Sequence, residues 1–262
     1  MVIIPKPNKI SFDLLKLYCP IILLNIIRKL FEKMIREHLQ FHMISNNFIY
    51  HSQLRDLKQR STMDAEIALT HIIQSGWVKN LSTSTLAFDI AQFFPSLNHQ
   101  LLSLILDKVD LNHKISMFFE NYLAERKTKY LWNDFISPLF NINVGVGQGS
   151  ALSLILSALY LSPVFLSLEN CLKILKIPIS IISFVDNGLF ISQNKSISHL
   201  NTNFFYSYNI ILSLLSKCGL VIEHRKTDVF IFLGLMEHLI LFLSTYLLLG
   251  VPFLFLKKYR DT

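Results

Sequence analysis

The stretch that most constrains the fold of this chain is ISIISFVDNGLFIS, residues 179–192. An apolar, β-branched run precedes Asn187-Gly188 and another apolar run follows, a pattern typical of a hairpin with a two-residue turn. Asp186 therefore stands at the tip of a predicted β-hairpin. Because a carboxylate is costly to place beside buried apolar surface, a lone aspartate there either caps the turn or holds a cation.

Composition narrows the choice of partners. The chain has 262 residues, which is long enough for one large domain or two small ones with a sizeable core. Hydrophobic residues make up 52% of the chain and charged residues 16%. The formal net charge of +7 indicates a phosphate-rich partner, either a nucleic acid or an anionic membrane surface. The three cysteines are scattered along the chain, which predicts neither a zinc site nor a disulfide framework and indicates a reducing compartment.

The two ends of the chain bear on localisation. Residues 239–256 contain no charged side chain and precede Lys257, Lys258 and Arg260, so they form a candidate membrane segment with a basic flank. The first residues show no signal-peptide pattern. We therefore expect an intracellular protein, nuclear or cytoplasmic, with membrane association through the tail as an alternative.

Two amphipathic helices are predicted in the first third of the chain. Residues 21–43 carry apolar side chains at three- and four-residue spacing, which we expect to be buried: Leu24, Ile27, Leu30, Phe31, Met34, Ile35 and Leu39. The predicted solvent-facing side of this helix carries four basic residues, which are either only solvated or face phosphates: Arg28, Lys29, Lys33 and Arg36. A second helix is predicted for residues 63–79.

The middle of the chain contains a second candidate functional carboxylate and a glycine-rich turn. TLAFDI, residues 85–90, reads as a buried strand ending near Asp89, and a helix is predicted from Pro95. Three alternate glycines at 145–149 precede a long apolar helix from about Ala151, where the backbone can approach a ligand closely. A final strand pair is predicted around Lys226. This order of elements predicts an α+β sheet with helices on one face.

Seven ordered motifs carry a family resemblance. They are IIPKPNK, YCPIILLN, RSTMDA, AFDIAQFFPSLNH, GVGQGSALS, FVDN and GLVIEHRKT. Together they resemble the reverse transcriptase of non-long-terminal-repeat (LINE-like) retrotransposons over residues 2–232. The resemblance implies the fingers and palm of a right-hand polymerase, with a ferredoxin-like palm sheet. Residues 1–81 would be fingers-like, 82–232 palm-like, and 233–262 an apolar tail.

The resemblance implies which residues carry catalysis. Asp89 and Asp186 match the family's metal-holding positions, with the backbone oxygen of Ile90 as an added ligand for two Mg²⁺ or Mn²⁺ ions. Such ions suit nucleotidyl transfer because they stabilise charge on the attacking and leaving oxygens, and hard oxygen ligands suit them. Lys226 matches the basic residue that protonates the leaving pyrophosphate, or it is simply a solvated lysine after a turn.

Other matched positions would contact substrates. Phe94 matches the aromatic residue that excludes a ribose 2′-hydroxyl, although a core role is equally open from the residues alone. Contacts with the nucleotide or template are implied for six further residues: Gln148, Gly149, Ser150, Lys6, Lys9 and Arg60. The implied partners are an RNA template, a DNA primer and deoxynucleoside triphosphates.

Several departures from the family pattern predict impaired catalysis. Asn187 occupies the position of a second aspartate, which removes a charge from the catalytic set. Cys19 replaces a usual arginine, Leu154 replaces a usual proline, and the expected thumb is missing after Phe232. The sequence therefore predicts a truncated or decayed copy whose tail comes from a foreign reading frame or intron. Two alternatives are a non-catalytic nucleic-acid-binding remnant and a membrane-tethered pseudoenzyme.

Overall fold

The computed structural model describes residues 1–7, 13–14, 17–54, 61–124, 126–233 and 240–244. They form two compact units that interleave along the chain. The first unit comprises Met1–Ile49 and Gln92–Leu161, and the second comprises Tyr50–Ala91 and the described residues from Ser162 onward. The division into fingers-like 1–81 and palm-like 82–232 is a division by family role and stays a prediction.

The regular elements are numbered in chain order. The helices are α1 Ile26–Ser45, α2 Thr62–Val78, α3 Phe93–Ser96, α4 His99–Lys108, α5 His113–Leu123, α6 Ala151–Ile174 and α7 Ile197–Lys217. The strands are β1 Val2–Pro5, β2 Tyr18–Ile21, β3 Ser82–Asp89, β4 Arg126–Thr128, β5 Leu131–Trp132, β6 Phe135–Ile136, β7 Phe140–Ile142, β8 Ile179–Phe184, β9 Asn187–Asn194, β10 Asp228–Phe232 and β11 Ile240–Ser244.

Each unit has its own sheet. In the first unit, β2, β1, β5 and β6 form a four-stranded sheet in that order, and β4 pairs separately with β7. In the second unit, five antiparallel strands lie in the order β11, β10, β3, β9, β8. Helix α7 packs on β9 and β3, and α2 packs on β3. The predicted α+β fold is confirmed.

Strand β3 is the centre of the second unit because both of its edges are paired and most of its side chains are buried. Phe88 on β3 meets Phe190 on β9 edge to face, with ring centroids 5.1 Å apart. Such aromatic pairs prefer this geometry and bury a large apolar area. The apolar run that predicted this strand thus builds the core beneath its last residue, Asp89.

Helix α1 forms as predicted but buries a different face. Asn25 caps it by accepting a hydrogen bond from the Arg28 backbone N–H at 2.8 Å. The buried side chains are those of Glu32, Leu39, Gln40 and Met43. Four side chains predicted to be buried are instead exposed: Ile27, Leu30, Phe31 and Met34. The predicted buried face is therefore wrong at these four positions, whereas Leu39 is buried as predicted. The helix also turns Glu32 inward, because Ser150 and Arg28 hydrogen-bond its carboxylate.

Two further local predictions are corrected. The helix predicted from Pro95 is two helices, because Leu97 is extended and Asn98 caps α4 by accepting from the Leu101 backbone N–H at 3.0 Å. The strand pair predicted around Lys226 is a 3-10 helix, His224–Lys226, followed by the single strand β10. Residues just before it contribute an isolated bridge between Ile222 and Ile90.

The predicted membrane segment 239–256 lies mostly outside the described residues. Its described part, Ile240–Ser244, is strand β11, which pairs with β10 and is not a helix. Within the described residues, α6 is the one helix long and apolar enough to cross a membrane. In the most apolar 18-residue stretch of α6, 72% is buried, as is typical of a helix in the core of a soluble protein. No helix follows β10 in the part of the chain that the structure describes.

Candidate active site

The second unit brings the two predicted metal-holding aspartates together. In the pairing of β3 with β9, Asp89 lies opposite Asn187, the first residue after Asp186. The backbone N–H of Ile90 donates a hydrogen bond to the backbone oxygen of Asp186 at 2.9 Å. The end of the central strand and the tip of the β8–β9 hairpin are therefore fixed side by side. Asp89, Ile90, Asp186 and Asn187 all lie at this junction.

The hairpin turn lies two residues earlier than the sequence predicted. Phe184 pairs with Asn187, so the turn consists of Val185 and Asp186, and Asn187 already belongs to β9. Val185 adopts a φ of 60°, which is unusual for a β-branched residue. Strained backbone of this kind occurs where the surrounding pairing over-determines it, often at functional sites.

Gly188 explains why the Asn-Gly pair is not the turn. It lies opposite Phe88 across the β3–β9 pairing, and a Cβ at this position would be 2.1 Å from the Phe88 ring. The glycine is therefore required inside the strand by the close approach of an aromatic ring, and its turn-forming freedom is not used. The pairing register with β3 takes precedence over local turn preference.

Lys226 completes the charged group at this junction. Its ammonium group donates a hydrogen bond to Oδ2 of Asp89, and the Asp89 side chain is largely buried. The hydrogen bond with Asp89 and the negative charges of Asp89, Asp186 and Glu223 raise the pKa of Lys226 above its ordinary value, although burial opposes this. A backbone hydrogen bond of 2.8 Å from Glu223 to Asp89 anchors the segment that carries the lysine.

The donor set fits a hard divalent cation. Asp89 ends β3 and Asp186 lies in the turn that leads into β9, and Mg²⁺ is commonly bound through one or two carboxylates plus substrate phosphates and water. Asn187 donates from Nδ2 to Oδ1 of Asp186 at 3.2 Å, so its amide acts here as a donor. Within the described residues, no group of three or more His, Cys, Asp or Glu side chains is arranged to hold a metal ion.

The glycine-rich turn before α6 belongs to the first unit. The backbone oxygen of Gln148 accepts from the Ile22 N–H at 2.8 Å, which fastens the turn to the end of β2. Gly149 has a φ of 101°, a conformation that other residues rarely adopt, and a Cβ there would be 2.9 Å from the Ile22 oxygen. The turn is therefore held by backbone contacts that only glycine permits.

Ser150 points into the protein. Its hydroxyl donates to Oε2 of Glu32 at 2.6 Å and lies 3.2 Å from the Tyr122 hydroxyl. Arg28 donates from Nε to the other oxygen of Glu32 at 3.1 Å. Glu32 is 1% exposed, and these partners satisfy the hydrogen bonding of its buried carboxylate. The sequence reasoning missed Glu32, and the available signal was an acidic residue at i+4 from an arginine in a helix rich in basic residues.

The remaining predicted site residues are placed as follows. Phe94 is half-buried beside Phe93, with ring centroids 5.5 Å apart, and its backbone oxygen accepts from Val146 at 2.8 Å. Lys6 is half-buried and donates its backbone N–H to Leu17 at 2.8 Å. Lys9 and Arg60 lie outside the described residues.

Comparison with known families decides the assignment. Residues 4–252 match the family described as reverse transcriptase (RNA-dependent DNA polymerase). The chain belongs to the reverse transcriptase family. The match extends past Phe232 to residue 252. It therefore includes most of the tail, residues 233–262, which the seven motifs did not cover. A search of curated proteins found no match for this reverse transcriptase.

Solved telomerase structures share the fold of this reverse transcriptase. Apo telomerase from Candida tropicalis, truncated from its C-terminal domain, aligns over 80% of the present chain with a TM-score of 0.57 and 16% identity. Telomerase from Candida albicans, in complex with a TWJ fragment of telomeric RNA, aligns over 76% with a TM-score of 0.51 and 15% identity. The chain spans 42% and 34% of those two proteins. The α+β architecture thus resembles the fingers and palm of telomerase.

Proposed function

We propose that this chain is the RNA-directed DNA polymerase region of a non-long-terminal-repeat retrotransposon, with Asp89 and Asp186 at its catalytic centre. The observation that carries the proposal is the junction of β3 with the β8–β9 hairpin. Backbone pairing places Asp89 at the end of β3 beside the β8–β9 turn that carries Asp186, in a chain that belongs to the reverse transcriptase family. The seven ordered motifs support the retrotransposon subtype.

The residues proposed to hold divalent cations are Asp89 and Asp186, with the backbone oxygen of Ile90. When bound, two Mg²⁺ or Mn²⁺ ions stabilise negative charge on the attacking and leaving oxygens of a phosphoryl transfer. The protein's own contribution is to fix the backbone positions of both aspartates through the hydrogen bond from Ile90 to Asp186 and the pairing of β3 with β9. Preorganised charge of this kind needs no rearrangement during the reaction.

Lys226 is proposed to act on the leaving group. Its ammonium group lies against Asp89, so a proton is held at Nζ beside the carboxylate pair. A positioned acid contributes about 10²- to 10⁴-fold to a proton-transfer step. In this proposal the primer 3′-oxygen forms its bond to the α-phosphorus while the bond from that phosphorus to pyrophosphate breaks, and Lys226 gives its proton to the leaving pyrophosphate oxygen.

The first unit is proposed to bind substrates. Phe94 would exclude a 2′-hydroxyl and thereby favour deoxynucleoside triphosphates, and Gln148 and Gly149 would contact the nucleotide and the template. Ser150 would act indirectly, because its hydroxyl is bonded to Glu32 inside the unit. Lys6, Lys9 and Arg60 stay proposed contacts with the triphosphate or template. The net charge of +7 supports an RNA template and a DNA primer as partners.

Impaired turnover is part of the proposal. Asn187 supplies an amide where the family has a second aspartate, and its Nδ2 donates toward Asp186. A neutral ligand weakens binding of a hard divalent cation. The same observation favours a second candidate function, a non-catalytic nucleic-acid-binding remnant that keeps the basic surface without turnover.

Primer extension tests the proposed function. The purified chain is incubated with an RNA template, a DNA primer and deoxynucleotides in Mg²⁺ or Mn²⁺, beside Asp89→Ala and the matched variant Asp107→Ala, whose carboxylate is exposed on α4. We expect extension that Asp89→Ala abolishes and Asp107→Ala preserves. Salt-sensitive RNA binding without any extension would instead select the non-catalytic remnant.

A further inference from the structure

The buried carboxylate of Glu32 joins two distant parts of the first unit, and Glu32 is not among the residues proposed above to act on a substrate. Its Oε1 accepts a hydrogen bond from Nε of Arg28 at 3.1 Å, and its Oε2 accepts one from the Ser150 hydroxyl at 2.6 Å. Arg28 is a neighbour on α1, whereas Ser150 is 118 positions away and directly follows the glycine-rich turn, residues 145–149. Glu32 therefore connects α1 to the end of that turn.

The proton of the Ser150 hydroxyl gives this contact a direction. A carboxylate only accepts hydrogen bonds, so Ser150 donates its single hydroxyl proton to Glu32. The Ser150 oxygen is then left to accept from the Tyr122 hydroxyl at 3.2 Å and from the Leu152 backbone N–H at 3.2 Å. The bond from Leu152 caps the first turn of α6. Glu32 thus orients the hydroxyl at which the helix after the glycine-rich turn begins.

The rest of the turn is held through its backbone oxygens. The Gly145 oxygen accepts from Nε2 of His99 at 2.7 Å and from Nη1 of Arg126 at 3.3 Å. The Gln148 oxygen accepts from the Ile22 backbone N–H at 2.8 Å. Gln148 also lines a cleft of about 320 Å³ in the same unit. Contacts at the first residue of the turn, at Gln148 and directly after the last residue therefore fix the wall of this cleft.

Ile22 and Glu32 belong to one continuous segment of the chain. Ile22 directly follows β2, and Glu32 lies in the second turn of α1. This segment contacts the turn region at two points, the Gln148 oxygen and the Ser150 hydroxyl. Two separated contacts fix an orientation, whereas one contact alone leaves a pivot. Without the Glu32 carboxylate, the segment would hold the turn by the Ile22 hydrogen bond alone.

Burial of the Glu32 charge favours a role in placement over a role in stability. The Glu32 side chain is 2% exposed, and its cationic partner Arg28 is 52% exposed. Replacing a buried ion pair by apolar side chains of similar volume is often neutral or stabilising. A fully satisfied polar network, by contrast, specifies one arrangement of the groups that it joins. Both oxygens of Glu32 have partners, so its network meets that condition.

We propose that Glu32 is a positioning residue for the glycine-rich turn and, through the turn, for the nucleotide or template that Gln148 contacts. The carboxylate acts through Ser150, because it holds the hydroxyl in the orientation that caps α6 and keeps the turn against Ile22. Glu32 itself touches neither substrate nor metal. The contact of Gln148 with nucleotide or template rests on the proposed function, whereas the placement of the turn does not.

Amide hydrogen exchange in the full chain tests the placement of the turn without catalysis. Glu32→Met removes the carboxylate but keeps a side chain of similar size, and Glu32→Gln keeps an oxygen that accepts from the serine hydroxyl. We expect the Ile22 and Leu152 amides to exchange about tenfold faster in Glu32→Met and at the parent rate in Glu32→Gln. The Val109 amide, hydrogen-bonded at the C-terminal end of α4, should exchange at the parent rate in both variants.

Primer extension in the Asn187→Asp chain tests the consequence for the nucleotide. We expect Glu32→Met to raise the KM for deoxynucleotide about tenfold and to change kcat less than about threefold, the pattern of lost substrate binding. The turn lies in the first unit, whereas Asp89 and Asp186 lie in the second. Glu32→Gln should restore most of the lost affinity. The matched control Glu120→Met replaces an exposed glutamate on α5 and should keep the KM unchanged.

The possible outcomes separate this proposal from the proposed function. Parent-like exchange of the Ile22 and Leu152 amides in Glu32→Met would overturn it. Equally accelerated exchange of Val109 would also overturn it, because Glu32 would then only stabilise the whole unit. An unchanged KM beside faster exchange at the turn would overturn the effect on the substrate. If neither the parent nor the Asn187→Asp chain extends a primer, the proposed function fails, and amide exchange alone decides whether Glu32 places the turn.

Discussion

Lys226 forms an ion pair with Asp89, and this contact joins residues 137 positions apart in the sequence. It connects the 3-10 helix before β10 to the end of the central strand of the sheet. The Asp89 carboxylate, which we propose holds a metal ion, is therefore bonded to an ammonium group. The proposed metal site and the proposed proton donor therefore share the Asp89 carboxylate.

Removing the ammonium group should slow the reaction. We expect Lys226→Gln to lower the rate of primer extension by about 10²-fold, the lower end of what a positioned acid contributes. Single-turnover kinetics at saturating nucleotide measure this rate. Lys217→Gln, an exposed lysine at the end of α7, should keep the parent rate. A Lys226→Gln variant as fast as the parent chain would exclude proton donation by this residue.

The buried hydrogen bond between Ser150 and Glu32 should contribute to stability. Ser150→Ala leaves a buried carboxylate with one partner fewer, which costs about 1–3 kcal/mol. Urea unfolding should show a free energy of unfolding lower by that amount. Ser216→Ala is the matched control, because its exposed hydroxyl bonds only to a neighbouring helix carbonyl, and it should change the free energy by less than about 0.5 kcal/mol. Equal stability of both variants would mean that the Glu32 contact is not stabilising.

His99 should make the protein less stable in mild acid. Burial lowers the pKa of His99 below its ordinary value of 6.5, and Nε2 lies 2.7 Å from the Gly145 oxygen. Because the unfolded chain then binds more protons, stability is present above about pH 6.5 and is lost as the pH falls below that value. The urea midpoint should fall between pH 7 and pH 5.

A substitution isolates the contribution of His99 to that fall. His99→Gln keeps an N–H donor but does not titrate, so its urea midpoint should fall less than that of the parent chain over the same range. His113→Gln replaces an exposed histidine and should follow the parent chain. If His99→Gln lost as much stability as the parent chain, other groups would account for the acid sensitivity.

The sheet and its helices were predictable where local pattern and packing agree. The apolar run ending near Asp89 became β3, and the apolar runs around Asp186 became β8 and β9. That β3 lies next to the β8–β9 hairpin was not predictable from the apolar runs themselves, because strand order depends on non-local pairing. The family resemblance implied this arrangement, and the pairing of Asp89 with Asn187 agrees with the arrangement.

The details of the site were less predictable because they depend on contacts between distant residues. The turn at Val185 and Asp186 follows from the pairing register and from the Phe88 ring against Gly188. The burial of Glu32 follows from Ser150 and Arg28, of which only the arginine is near in sequence. Local propensity favours an Asn-Gly turn and a solvated glutamate, and long-range packing overrides both preferences.

Primer extension by the parent chain, Asn187→Asp and Asn187→Asp/Asp89→Ala tests the central claim most directly. If Asp89 and Asp186 form the catalytic centre and Asn187 limits it, restoring the carboxylate should raise the rate about tenfold or more, equivalent to about 1.4 kcal/mol in the barrier. Loss of Asp89 should abolish the gain. An Asn187→Asp variant no faster than the parent chain, or a double variant as fast as the single one, would contradict the account.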